Sequence, residues 1–104
     1  MDAFQEFITK YPLKTFKRGE TILLKDEVPP GVYVIESGIV KTYSITANGH
    51  ERLVCLDRKG EDFPIGFVFG LIDHSQYFYD AHTKCTVRLI PRDKFLEHIN
   101  SNIE

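Results

Sequence analysis

The stretch "GEDFPIGFVFG", Gly60 to Gly70, sets three glycines and an acidic pair in one short window. Glycines let a backbone approach a ligand closely, and a loop of free N–H groups is a ready cradle for a phosphate. The same window carries Phe63, Ile65, Phe67 and Phe69, which bring no charge to an anion. Pro64 removes one N–H donor outright. The sequence therefore poses a choice between a phosphate loop and one that has lost that role.

Other chemistries are poorly supplied. The histidines His50, His74, His82 and His98 include no pair at metal-ligand spacing, and the His-x-His pattern of metal-binding β-rolls is absent. There is no Gly-x-Ser-x-Gly elbow and no Cys–His pairing in sequence context. Asp57, Glu61, Asp62, Asp73 and Asp80 would form paired carboxylates only by coincidence of folding, since charged turns normally face water. An axial haem ligand would have to be His74 or Cys85, and a loop histidine and a packed thiol are the simpler readings. No metal, no cofactor and no enzymatic activity are expected. Cys55 and Cys85 sit in apolar, β-branched runs and read as small buried hydrophobes, in keeping with a reducing cytoplasm.

The 104 residues fit one domain with one core, and 42% hydrophobic with 27% charged residues is ordinary for a folded domain. Thirteen Lys and Arg against fifteen Asp and Glu give a formal charge of -2, the opposite of a basic nucleic-acid surface. No apolar run is long enough to span a bilayer, and "MDAFQEF" lacks the layout of an export signal.

Asp2 is a candidate N-cap for a short helix carrying Phe4, Phe7, Ile8 and Tyr11, closed by Pro12. To about residue 90, runs rich in Val, Ile, Thr, Tyr and Phe alternate with turn chemistry. Gly19, Gly31, Gly38, Gly49 and Gly60 recur every seven to twelve residues, the rhythm of antiparallel sandwiches and jelly rolls. Asn48-Gly49 predicts a type I′ hairpin between strands near 39–46 and 51–57. In a last strand region, residues 77–90, Tyr77, Tyr79, Ala81, Thr83, Cys85, Val87 and Leu89 alternate onto an inner face. Phe78 and Ile90 break that alternation, which predicts cover at the strand ends. Pro91 opens a second helix with a stripe of Phe95, Leu96, Ile99 and Ile103 that still runs where the residues end, the mark of a fragment of a longer protein. The predicted class is mainly β, an antiparallel jelly roll (double-stranded β-helix) with short N- and C-terminal helices.

Residues 16–63 carry Gly19-Glu20 with Ile22, Pro30 to Ile35, Ser37 to Lys41, Asn48-Gly49 and Gly60-Glu61 in an order and spacing that resemble a known family. They are similar to the effector domain of the catabolite-activator and FNR-type bacterial transcription regulators, within the cyclic-nucleotide-binding-domain superfamily. With the N-terminal helix and "LIPRDKF" at 89–95, the likeness covers nearly the whole chain. In nucleotide-binding members a Phe-Gly-Glu run follows, with an Arg-Ser or Arg-Thr further on; backbone N–H groups and the Arg hold the phosphate, and the Glu accepts the ribose hydroxyl. Here Phe63 matches the Phe, but Pro64 and Ile65 replace Gly and Glu, and Ser75 and Gln76 stand where the Arg and its partner would be. Sliding by one residue puts Gly66 on the Gly and Phe67 on the Glu, with the same result. Cysteines for an iron–sulphur sensor are absent from the N-terminal stretch.

The resemblance implies a cavity near Phe63, Ile65, Gly66, Phe67, Gln76, Tyr77 and Tyr79, either filled by these side chains or open to an apolar or weakly polar small-molecule effector. It further implies a sensor domain of a homodimeric regulator that meets DNA only through a C-terminal domain beyond Glu104, with no membrane partner. The alternatives are a small cupin-like metal protein or enzyme, and a stand-alone protein-association domain.

Overall fold

The computed structural model describes residues 2–101. Helix α1, Ala3–Ile8, starts where the Asp2 carboxylate accepts the Gln5 N–H at 2.7 Å, the predicted cap. Eight strands follow: β1 (Leu13–Phe16), β2 (Thr21–Leu23), β3 (Val32–Ser37), β4 (Val40–Ile45), β5 (Glu51–Asp57), β6 (Asp62–Phe63), β7 (Phe78–Ala81) and β8 (Cys85–Ile90). Helix α2, Arg92–Ser101, begins directly after Pro91, with Asp93 in its first turn. Ile103 of the predicted stripe lies outside the described residues.

The strands form two antiparallel four-stranded sheets, ordered β1-β8-β3-β6 and β2-β7-β4-β5. Between them lies a core of Ile22, Leu23, Tyr33, Ile35, Val40, Phe63, Tyr79, Ala81, Cys85 and Val87. A second cluster lies on the other side of the first sheet, where Val32, Val34 and Ile90 pack with Ile8, Phe67, Val68 and Phe95. β3 therefore buries both faces, which is why Val32 to Ile35 is an unbroken apolar run. Arg88 ties the helical layer to this sheet, donating to the Tyr11 carbonyl at 2.9 Å and lying 3.7 Å from Glu36, which also accepts from Gln5.

Two local expectations are corrected. Residues 77–90 are not one strand: β7 and β8 belong to different sheets, parted by a corner at 82–84. There His82 and Thr83 N–H groups donate to the Ile39 carbonyl, and Thr83 Oγ1 accepts the Ile39 N–H at 3.0 Å. The odd-numbered inner face holds through the corner, and the two exceptions are covered as predicted, Ile90 by the helical layer and Phe78 by stacking on Tyr43 at 5.3 Å. The Asn48-Gly49 hairpin joins the expected strands, but not as type I′. Only Gly49 has positive φ, and the loop closes through Thr46 N–H to the His50 carbonyl at 2.8 Å and Gly49 N–H to the Thr46 carbonyl at 2.9 Å. That is the three-residue loop with glycine in the bulge position, favoured here because Thr46 Oγ1 also accepts the His50 N–H.

Of the glycines, Gly38 is the most constrained. It has φ +86°, and a Cβ there would stand 2.6 Å from the Cβ of Cys85 and strike the Lys84 carbonyl. Gly31 likewise passes so close to β8 that a Cβ would lie 2.6 Å from the Ile90 carbonyl.

Candidate functional site

The segment from Pro64 to Tyr77, between β6 and β7, is built of turns and contains no helix, so no helix N-terminus is offered to an anion. Several of its N–H groups are engaged within the protein. Phe67 donates to the Pro64 carbonyl at 3.2 Å, Gly70 to Phe67 at 3.2 Å and Leu71 to Gly66 at 3.1 Å. The Ile65 N–H points into the roll and donates to the Tyr79 hydroxyl at 3.0 Å. Ser75 is fully buried; its hydroxyl donates to the Tyr77 carbonyl at 2.6 Å, and its backbone pairs with Asp26 and Glu27.

The predicted pocket residues divide. Phe63 and Tyr79 meet in the core, where three rings stack in series: Tyr33 on Phe63 at 4.9 Å and Phe63 on Tyr79 at 5.0 Å. Tyr77 packs against the same core, partly buried. Phe67 turns the other way, into the helical cluster, where the Arg92 guanidinium lies 4.9 Å from its ring. Ile65 is 47% exposed and Gln76 is exposed, so neither side chain joins the aromatic stack. Gly66 has φ +80° and serves the turn, closed by the Leu71 bond.

A polar group on the inner face of the second sheet escaped the sequence reading. Register places Tyr79, Thr42 and Cys55 in one row across β7, β4 and β5, and Ala81, Val40 and Asp57 in a neighbouring one. Asp57 was expected to face water as a turn residue, yet only 8% of it is exposed. The Cys55 thiol, expected as a plain hydrophobe, points to the Asp57 carboxylate at 3.6 Å. Thr42 is fully buried, and its hydroxyl lies beside the Cys55 thiol. Burial, and then the neighbouring Glu61, holds the Asp57 carboxyl above the usual aspartate range. Burial raises Cys55 and Tyr79 as well, so both stay protonated at neutral pH. The signal that could have found this group is Asp57 itself, an acid ending an apolar run, but only cross-strand register shows which way it points.

Two surface clefts lie elsewhere. One of about 190 Å³ is lined by Arg18, Lys41, Asp80 and His82, and one of about 320 Å³ by Phe7, Tyr11, Lys94 and His98. Among the described residues no three His, Cys, Asp or Glu side chains gather as a metal site, and no helix is long and apolar enough to cross a membrane.

Residues 13–102 match the family model described as cyclic nucleotide-binding domain. No curated protein is a sequence match. Among solved structures, a transcriptional regulator from Thermotoga maritima superposes with TM-score 0.84 at 20% identity, covering 98% of this chain and 78% of its own. The catabolite activator protein of Thermus thermophilus gives 0.77 at 18% identity over 94% of this chain and 46% of its own. The sensor domain of the transcriptional regulator DNR from Pseudomonas aeruginosa gives 0.79 at 19%, over 94% and 65%. The chain thus spans less than half of the catabolite activator's length.

Proposed function

Since this chain belongs to the cyclic nucleotide-binding domain family, we propose that it is the sensor domain of a catabolite-activator/FNR-type regulator whose phosphate segment no longer takes a cyclic nucleotide. The observation that carries this reading is the direction of the Ile65 N–H, which is turned inward onto Tyr79. Together with the bonds from Phe67, Gly70 and Leu71 it commits four of the N–H groups between Pro64 and Leu71 to the protein itself. The nearby guanidinium, Arg92, is stacked on Phe67 in the helical cluster rather than directed into the roll. A buried phosphate without a cation would lose several kcal/mol, on the order of the penalty for an unpaired buried ion.

The segment still has the connections a transmitter needs. Phe63 lies in the core between the sheets, while Phe67 and Val68 lie against Phe95 of α2. A ligand that displaced the Phe63–Tyr79 stack would therefore press on the helix leaving the roll. Such a ligand shifts the helix only to the extent that it binds one arrangement better than the other. In the parent regulator, DNA contact falls to a part of the protein outside these residues, and two copies pair.

The test is thermal unfolding of residues 1–104 with cyclic AMP and cyclic GMP. No change in midpoint is expected; saturable stabilisation by micromolar nucleotide would overturn the reading.

A further inference from the structure

Three turns of this fold follow one plan. In residues 17–20, 24–27 and 58–61 the carboxylate of the closing glutamate accepts the first residue's N–H, from Lys17 at 2.9 Å, Leu24 at 2.8 Å and Arg58 at 2.9 Å. Each turn then clasps one residue of another segment, donating from its third N–H and accepting at its fourth carbonyl. Gly19 and Glu20 hold Ala81 at 2.7 and 2.9 Å, and Gly60 and Glu61 hold Ile35 at 2.9 and 3.0 Å. Asp26 and Glu27 hold Ser75 in the same way, at 2.7 and 2.8 Å.

The last of these clasps differs in two respects. Its third residue is Asp26 at φ 71°, the one non-glycine with positive φ among the described residues, where the other turns have Gly19 at φ 85° and Gly60 at φ 91°. An L-residue is strained in that region, although aspartate tolerates it better than most. The partner differs as well: Ala81 and Ile35 belong to β7 and β3, whereas Ser75 lies in the segment between β6 and β7. Leu24 at 53% and Val28 at 72% exposed flank the turn, so little apolar burial holds it down.

We infer that the 24–27 clasp on Ser75 is a strained latch, the point at which the segment between β6 and β7 releases from the roll while the two glycine clasps stay shut. Ser75 is fully buried and its hydroxyl donates to the Tyr77 carbonyl at 2.6 Å, so release there frees the stretch that leads to Tyr77 and the core behind it. For its use the inference rests on the sensor reading, to which it supplies the motion that opens the segment; the latch itself belongs to the free domain.

The experiment is native-state hydrogen exchange of residues 1–104 without ligand, comparing the equivalent N–H in each clasp: Ser75, Ala81 and Ile35. Ser75 is expected to exchange at least about tenfold faster than the other two after correction for intrinsic rates. Asp26→Gly should slow Ser75 about fivefold, relief of strain being partly offset by glycine's greater freedom when the latch is open. Asp26→Asn removes the charge and keeps a side chain, so Ser75 should stay within about twofold of its original rate. Gly60→Asp adds the same strain where a Cβ meets nothing within 4 Å, and it should leave Ser75 unchanged, because local release of Ser75 does not relieve it. Exchange of Ser75 at the rate of Ala81 and Ile35 overturns the inference, as does an unchanged Ser75 rate in Asp26→Gly or equal slowing in Asp26→Asn. A nucleotide titration that overturned the sensor reading would leave these rates untouched, so the two failures are distinct.

Discussion

Replacing Tyr79 with Phe removes one oxygen from the centre of the fold and leaves its shape intact. The ring remains stacked on Phe63 at 5.0 Å, so no cavity opens and no packing term enters. What is lost is the acceptor for the Ile65 N–H, a bond of 3.0 Å. A net amide-to-hydroxyl bond contributes about 1 kcal/mol, and a stranded buried donor costs up to about 3 kcal/mol. Because Ile65 is 47% exposed, its N–H can reach water once the segment lifts slightly, which selects the lower figure. For a domain of this size about 1 kcal/mol corresponds to a fall of roughly 4–8 °C in Tm. Amide exchange should accelerate at Ile65 and Phe67, while β3 and β8, buried at the centre of their sheet, keep their protection. An unchanged Tm with unchanged exchange at Ile65 would refute the view that this bond holds the segment down.

Phe63→Ala should be far more damaging, roughly 3–5 kcal/mol by denaturant titration, because it removes the middle ring of the Tyr33–Phe63–Tyr79 stack. Gly49→Ala, at φ +83° in open space, should cost about 1–2 kcal/mol from backbone strain alone. Gly38→Ala should cost visibly more in the same assay, since its Cβ also strikes β8. Asp57 is raised by burial and then by Glu61, so the folded state holds a proton that the unfolded state has released. Stability should therefore fall as pH rises from about 4, the unfolded aspartate value, through the raised folded value. Asp57→Asn should accordingly raise the denaturant midpoint at pH 7 and leave it unchanged near pH 3; an equal gain at both would place its cause outside ionisation.

Much of the fold was legible because it is written in local chemistry. Glycines at positive φ mark the turns after β1, β3, β4 and β5, and the period-two pattern from Tyr77 to Leu89 gives the inner face even though a corner divides it. The pattern could not reveal the division, since a corner that preserves phase leaves alternation undisturbed. The polar row was hidden for the opposite reason. A register shift between Thr42 and Tyr43 sets Arg52 opposite Ser44 but Cys55 opposite Thr42, so β5 changes phase partway along. Its inward positions are then even-numbered before the bulge and odd-numbered after it, and no single alternation describes the strand. Phe67 was assigned to the roll for want of the same long-range information: only the packing of α2 shows that it serves the helical layer.

In the proposed reading, the self-bonded turns after Pro64 and the buried acid Asp57 are two sides of one electrostatic arrangement. An anion inside the roll would require free N–H groups, a cation and a neutral surround. The turns between Pro64 and Leu71 engage the N–H groups of Ile65, Phe67, Gly70 and Leu71, Arg92 is engaged on Phe67, and Asp57 with Glu61 and Asp62 supplies the opposite of the third. Restoring any one of these alone leaves the other two in place, so a single added arginine would find Asp57 before it found a phosphate.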